Sequence, residues 1–151
     1  MSKERKEAQA VKATFIMLTV FMLTLSASFL IMPFGNRMAL NEGKNGLLYF
    51  SGGLFWASFL LEAVLMIINF AACKKVVPDD KKRRPGIFRF FSNTAAKIVD
   101  PIAILSIVGF LVCVFVTDKY ITYVFLAAML FFVQMHCIIN SKGFEYINSL
   151  R

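Results

Sequence analysis

Glu62 stands fifteen positions into an apolar run from Leu47 to Cys73. An ionised carboxylate at the centre of a hydrocarbon layer costs a few kcal/mol or more, so this side chain must be protonated, paired or facing water. At 100° per residue on a helix, Ser51, Phe55, Ser58, Met66, Asn69 and Cys73 fall within about 40° of it and form a polar stripe. Gly53 and Ala57 fall near the opposite face, a small-x-x-x-small patch suited to close helix approach. A second polar group, Gln134, lies fifteen positions after Lys119 in another apolar run, which sets it at a depth similar to that of Glu62. Tyr123, Ala127 and Ser141 share its face. His136 and Asn140 project roughly opposite Gln134, so a pair between Glu62 and His136 requires a different rotation of that run. Spacing leaves both pairings open.

Two uses of this constellation follow from its chemistry. In the first, Glu62 is a hydrogen-bonded carboxyl joining two helices, with Ser58 and Asn69 as further interhelical glue; such bonds average about 0.6 kcal/mol in membranes, so their main product is specificity. In the second, Glu62 exchanges a proton against a substrate. The second logic resembles that of small multidrug-resistance exporters, four-helix proteins with one essential glutamate. Their glutamate lies on the first helix, whereas Glu62 lies on the second run, and the central connection here is longer and more basic. An enzyme needs a clustered nucleophile and base, or paired acids with a metal. Asp79-Asp80 reads as part of a linker and Asp100 as a helix cap, and Cys73, Cys113 and Cys137 form no C-x-x-C pair. His136 and Cys137 adjoin in sequence and point about 100° apart on a helix, which disfavours zinc. The three thiols read as buried and structural. We therefore expect no metal, no cofactor and no enzymatic activity.

The elements that must position these residues follow from composition. The chain has 151 residues, 58% of them apolar, with 17 phenylalanines and a mean hydropathy of +0.68, too apolar for a soluble domain of this size. Four runs can each span a bilayer as a helix: 13–32, 47–73, 98–117 and 119–140. None alternates with period two, which excludes a membrane β-barrel. Asn45-Gly46 and Asp100-Pro101 read as helix starts, Pro33 as the end of the first run, and Asn140, Ser141 and Gly143 as the end of the fourth. Residues 33–46 then form an outer loop, 74–97 a basic loop, residue 118 a tight outer turn and 141–151 a tail. A cleavable signal peptide is the weaker reading of the N-terminus, because the apolar run continues through Phe29-Leu30-Ile31-Met32 to a full span. The two halves show no internal repeat.

Fourteen of the seventeen Lys and Arg residues fall in segments 1–12, 74–97 and 141–151. The positive-inside rule puts those segments, and both termini, in the cytoplasm. The net charge of +8 is accounted for by these flanks and does not imply nucleic acid. Lys81, Lys82, Arg83 and Arg84 precede Phe88, Arg89, Phe90 and Phe91, a pattern suited to a membrane surface: cations toward anionic lipid headgroups and rings in the acyl boundary. An interfacial segment is expected over 87–97, with Ser92-Asn93-Thr94 able to cap a helix.

The expected fold is all-α, a polytopic membrane protein with four transmembrane helices in an antiparallel bundle. The expected function is that of a small integral membrane protein, a non-enzymatic accessory or assembly partner, with a small proton-coupled transporter as the alternative. Four helices enclose little space, so transport requires a homodimer or a larger membrane complex. The expected location is a prokaryotic inner (plasma) membrane.

Overall fold

A computed structural model describes residues 3–76, 86–116 and 119–149. They form α1 (Lys3–Glu42), α2 (Gly46–Val76), a single 3-10 turn (Gly86–Phe88), α3 (Ala96–Val116), α4 (Lys119–Ile139) and a short α5 (Lys142–Ser149). The protein is all-helical, and α1 to α4 are long and apolar enough to cross a membrane.

The first helix overruns its expected end. Pro33 lies inside α1, so most of the segment expected as an outer loop over 33–46 is helix, and the connection is only the turn 43–45. Proline removes one backbone donor, a tolerable loss in an apolar helix when a neighbour supports the backbone. Just beyond the proline, a Cβ on Gly35 would stand 2.8 Å from the Leu48 backbone nitrogen, so α1 and α2 meet there backbone to backbone. The helix stops at Gly43, whose φ of +66° is the left-handed conformation that favours glycine. The Lys44 N–H donates back to the Met38 carbonyl (3.3 Å), and the Asn45 carbonyl accepts from the Tyr49 N–H (3.0 Å) as α2 begins, where the sequence placed that start.

Helix α1 is the core of the molecule. Val11, Phe15, Leu18, Met22 and Leu25 are buried while Ile16, Met17, Val20 and Leu23 are exposed. The alternating spacing of four and three is a helix seam. Helices α2 and α4 both pack on α1, and α3 packs on α4. All three contacts run antiparallel. Thr14 and Thr24 of α1 meet Asn69 and Ser58 of α2; Thr19 and Phe34 of α1 meet Met135 and Tyr120 of α4; and the Thr122 hydroxyl of α4 donates to the Cys113 carbonyl of α3 (3.2 Å). The packing order is thus α2, α1, α4, α3, which leaves α2 and α3 at the ends with large apolar side chains such as Trp56, Phe70, Leu105 and Phe115 exposed.

Three further expectations need correction. Gly53 and Ala57 are exposed, and a Cβ on Gly53 would meet nothing within 4 Å, so this small-residue face takes no part in the packing; the polar stripe carries the approach to α1 instead. Gly143 does not close the fourth run but lies in α5, where a Cβ would stand 2.6 Å from Cys73 Sγ. Asp100 does not cap α3. The cap is Asn93, whose Oδ1 accepts from the Ala96 N–H (3.0 Å), so the helix is under way by the time the chain reaches Asp100 and Pro101. The outer turn at residue 118 lies outside the described residues.

Candidate functional site

Two polar centres lie among the apolar helices. At the first, Glu62 is 4% exposed and the Gln134 side chain lies beside its carboxyl. Of the two partners that spacing left open, the structure brings Gln134 to the carboxyl and turns His136 away. The stripe around Glu62 faces α1 more than α4: Ser58 Oγ and Thr24 Oγ1 share a hydrogen bond at 2.8 Å, Asn69 Nδ2 donates to Thr14 Oγ1 at 2.6 Å, and the Phe55 ring meets Phe29 edge-on at 5.5 Å. Ser51 is buried as well, but Met66 is 45% exposed and lies outside the contact. Glu62 Oε2 and Gln134 Oε1 are both buried without a hydrogen-bond partner among the described residues. These two unsatisfied atoms lie on neighbouring side chains, and a proton on the carboxyl would make Glu62 a donor to the Gln134 oxygen.

The second centre is more extensive, and only part of it was anticipated. Asp100 on α3, and His136 and Asn140 at the end of α4, are all buried. His136 Nδ1–H donates to Asp100 Oδ1 (2.8 Å), Asn140 Nδ2 donates to the same oxygen (3.2 Å), and the Phe91 N–H donates to Asp100 Oδ2 (2.6 Å). Asn140 Nδ2 also donates to the His136 carbonyl (3.0 Å), while Asn140 Oδ1 accepts from Ser92 Oγ (2.5 Å). The amide of Asn140 is therefore oriented by partners at both ends. Asn93 Nδ2 ties the same loop to the Ile139 carbonyl (3.0 Å).

The loop before α3 is thus held on the ends of α3 and α4 by side chains of both. His136 Nε2 faces the Ile87 carbonyl at 3.3 Å, and the Phe90 ring covers the imidazole at a centroid distance of 4.5 Å. The outer nitrogen of the His136–Asp100 pair thus faces a main-chain carbonyl, and the nearby Ser92 hydroxyl is directed to Asn140, so the contacts clamp the loop onto both helices. Phe91 adopts a φ of +56°, strained for a bulky residue, in the geometry that presents its N–H to Asp100.

A signal for this centre was present in the sequence. Ala96, Asp100, Ala103 and Ser106 recur at helical spacing, all buried on α3. The stripe is small enough for α4 to approach closely, and a carboxylate within it must meet a donor from α4. His136 and Asn140 are four residues apart on one face, opposite Gln134, as the spacing required.

The expected surface segment is placed in part. Ile87, Phe88, Phe90 and Phe91 are all half exposed or more. Arg89 is not directed outward with them: Nη2 pairs with Glu145 Oε1 of α5 at 2.5 Å, and Nη1 donates to the Asn140 carbonyl (3.4 Å). Its guanidinium joins loop to α5 because Glu145 offers a carboxylate partner at the edge of the clamp. Lys81, Lys82, Arg83 and Arg84 lie outside the described residues. Cys73, Cys113 and Cys137 are free thiols of intermediate burial, and no three His, Cys, Asp or Glu side chains among the described residues could hold a metal ion. No family model, curated protein or solved structure matches the chain.

Proposed function

We propose that this chain is a small integral membrane protein with a non-enzymatic accessory or assembly role, inserted with both termini and the central loop on the cytoplasmic side. The observation that supports it is the division between inside and outside. Glu62, Asp100, His136 and Asn140 are turned inward against other side chains, while the end helices α2 and α3 keep broad apolar flanks uncovered. A layer of helices with two free flanks is suited to lateral association, with a second copy or within a larger membrane complex. Photo-crosslinking groups placed in intact membranes at Phe59 and Val64 of α2, and at Leu105 and Val112 of α3, test this. A discrete protein adduct confined to one flank is expected; adducts to lipid alone at all four positions contradict the role. Orientation is tested by reporter fusions: those after Arg37 should report the outside and those after Arg84 the cytoplasm, as the distribution of basic residues requires.

A small proton-coupled transporter acting as an oligomer through Glu62 is the second reading, favoured by the unpartnered acceptors on Glu62 and Gln134. It requires Glu62→Gln, which cannot titrate, to fold normally and abolish proton release on substrate addition in reconstituted vesicles.

A further inference from the structure

A cleft of about 240 Å³ opens between α1, α4 and α5. Its walls are apolar: Ile16 of α1, Met135 and Ile138 of α4, and Phe144 of α5. Thr19 also lines it, but its hydroxyl donates to the Phe15 carbonyl (2.9 Å), which turns the residue into apolar wall. The third side is built by α5, which is held on α1 through the edge-on contact of Phe144 with Phe15 (6.3 Å) and by Gly143, against which Phe15 and Cys73 fit. Polar groups enter the lining at Lys12 and Asn148. Lys12 is exposed, and no carboxylate pairs with it among the described residues. Arg5 lies seven positions earlier on α1, about 20° away around the helix, so a second cation stands on the same face further from the apolar part.

From this juxtaposition we propose that the cleft is a binding site for one acyl chain of an anionic phospholipid, whose phosphate is held by Lys12. The leaflet is the one on the side of the chain termini. The depth is appropriate: from Lys12 to Thr19 the helix rises about 10 Å, which carries the lining from a headgroup-level amine into the acyl region. The volume is below the usual range of pockets for drug-sized ligands, and suits a single chain with its headgroup outside. Charge complementarity selects an anionic lipid over a zwitterionic one, because a basic residue near the surface attracts anionic headgroups. The proposal depends on membrane insertion and is independent of the accessory role.

The test is native mass spectrometry of the full chain, released from detergent micelles containing equal amounts of phosphatidylglycerol and phosphatidylcholine. The wild type should carry phosphatidylglycerol in preference to phosphatidylcholine. Lys12→Gln should lower that occupancy about five-fold, the effect of one basic residue near an anionic surface. Ile16→Trp, at a position already 57% exposed and so free of folding demands, should lower it by filling the cleft. Lys75→Gln, an exposed cation at the end of α2, should leave it unchanged. The proposal is overturned if the wild type carries no phosphatidylglycerol, if phosphatidylcholine is retained equally, if Lys12→Gln and Ile16→Trp keep wild-type occupancy, or if Lys75→Gln loses as much as Lys12→Gln.

Discussion

His136 Nδ1–H donates to Asp100 Oδ1 at 2.8 Å, with the two side chains 6% and 0% exposed, and this contact joins the early part of α3 to the last turn of α4. Asp100 accepts from His136, Asn140 and the Phe91 N–H together. Asp100→Ala strands all three donors in a buried site, and removing one partner of such a pair costs about 3–5 kcal/mol. The variant should therefore unfold at markedly lower temperature in detergent. Asp100→Asn keeps one acceptor oxygen and should fall between the two. Equal melting of Asp100→Ala and wild type would show that the clamp contributes nothing.

Phe91 offers a test that isolates the backbone. Its φ of +56° costs an L-residue about 1–2 kcal/mol, and glycine escapes that cost. Phe91→Gly and Phe91→Ala both remove the ring, so their difference reports the conformation alone. Thermal denaturation should find Phe91→Gly the more stable of the two by about 1 kcal/mol, the reverse of the order within a helix. If alanine is the better replacement, the left-handed geometry is not held in solution.

Two glycines on facing helices should respond oppositely to the same change. Gly35→Ala pushes a methyl group against the Leu48 backbone, which cannot swing aside like a side chain, and crowding of this kind costs about 1–3 kcal/mol. Gly52→Ala meets nothing within 4 Å and should stabilise α2 by up to about 1 kcal/mol through helix propensity. Chemical denaturation in mixed micelles measures both. A neutral Gly35→Ala would mean that the helices do not meet as closely as their backbones indicate.

At Glu62 the informative measurement is a double-mutant cycle with Gln134. Glu62→Gln preserves size and hydrogen-bonding capacity and should stay near wild-type stability, whereas Glu62→Leu leaves Gln134 without its partner. Combined with Gln134→Leu, the cycle should return a coupling of about 0.6 to 1.7 kcal/mol, the range for membrane hydrogen bonds. Strict additivity of the two leucine substitutions would show that the side chains do not interact.

The sequence by itself determined which segments are helical and apolar enough to span a membrane. Both properties are local: the cost of exposing backbone polar groups to hydrocarbon and the length needed to cross it are carried by each run separately. It also determined that Gln134 and His136 face opposite ways, because helical rotation is a property of spacing. What it left open was which helix meets which. Pro33 has the local chemistry of a stop, yet α1 continues to Glu42, and α2 lies against its backbone at Gly35. Asp100 before Pro101 has the local chemistry of a cap, yet Asn93 takes that place, and the carboxylate is free to accept from His136, thirty-six residues away. Local chemistry lists the acceptors a side chain can offer; the donor it meets is chosen by tertiary packing, since only the assembled helices decide which polar groups are withdrawn from water together.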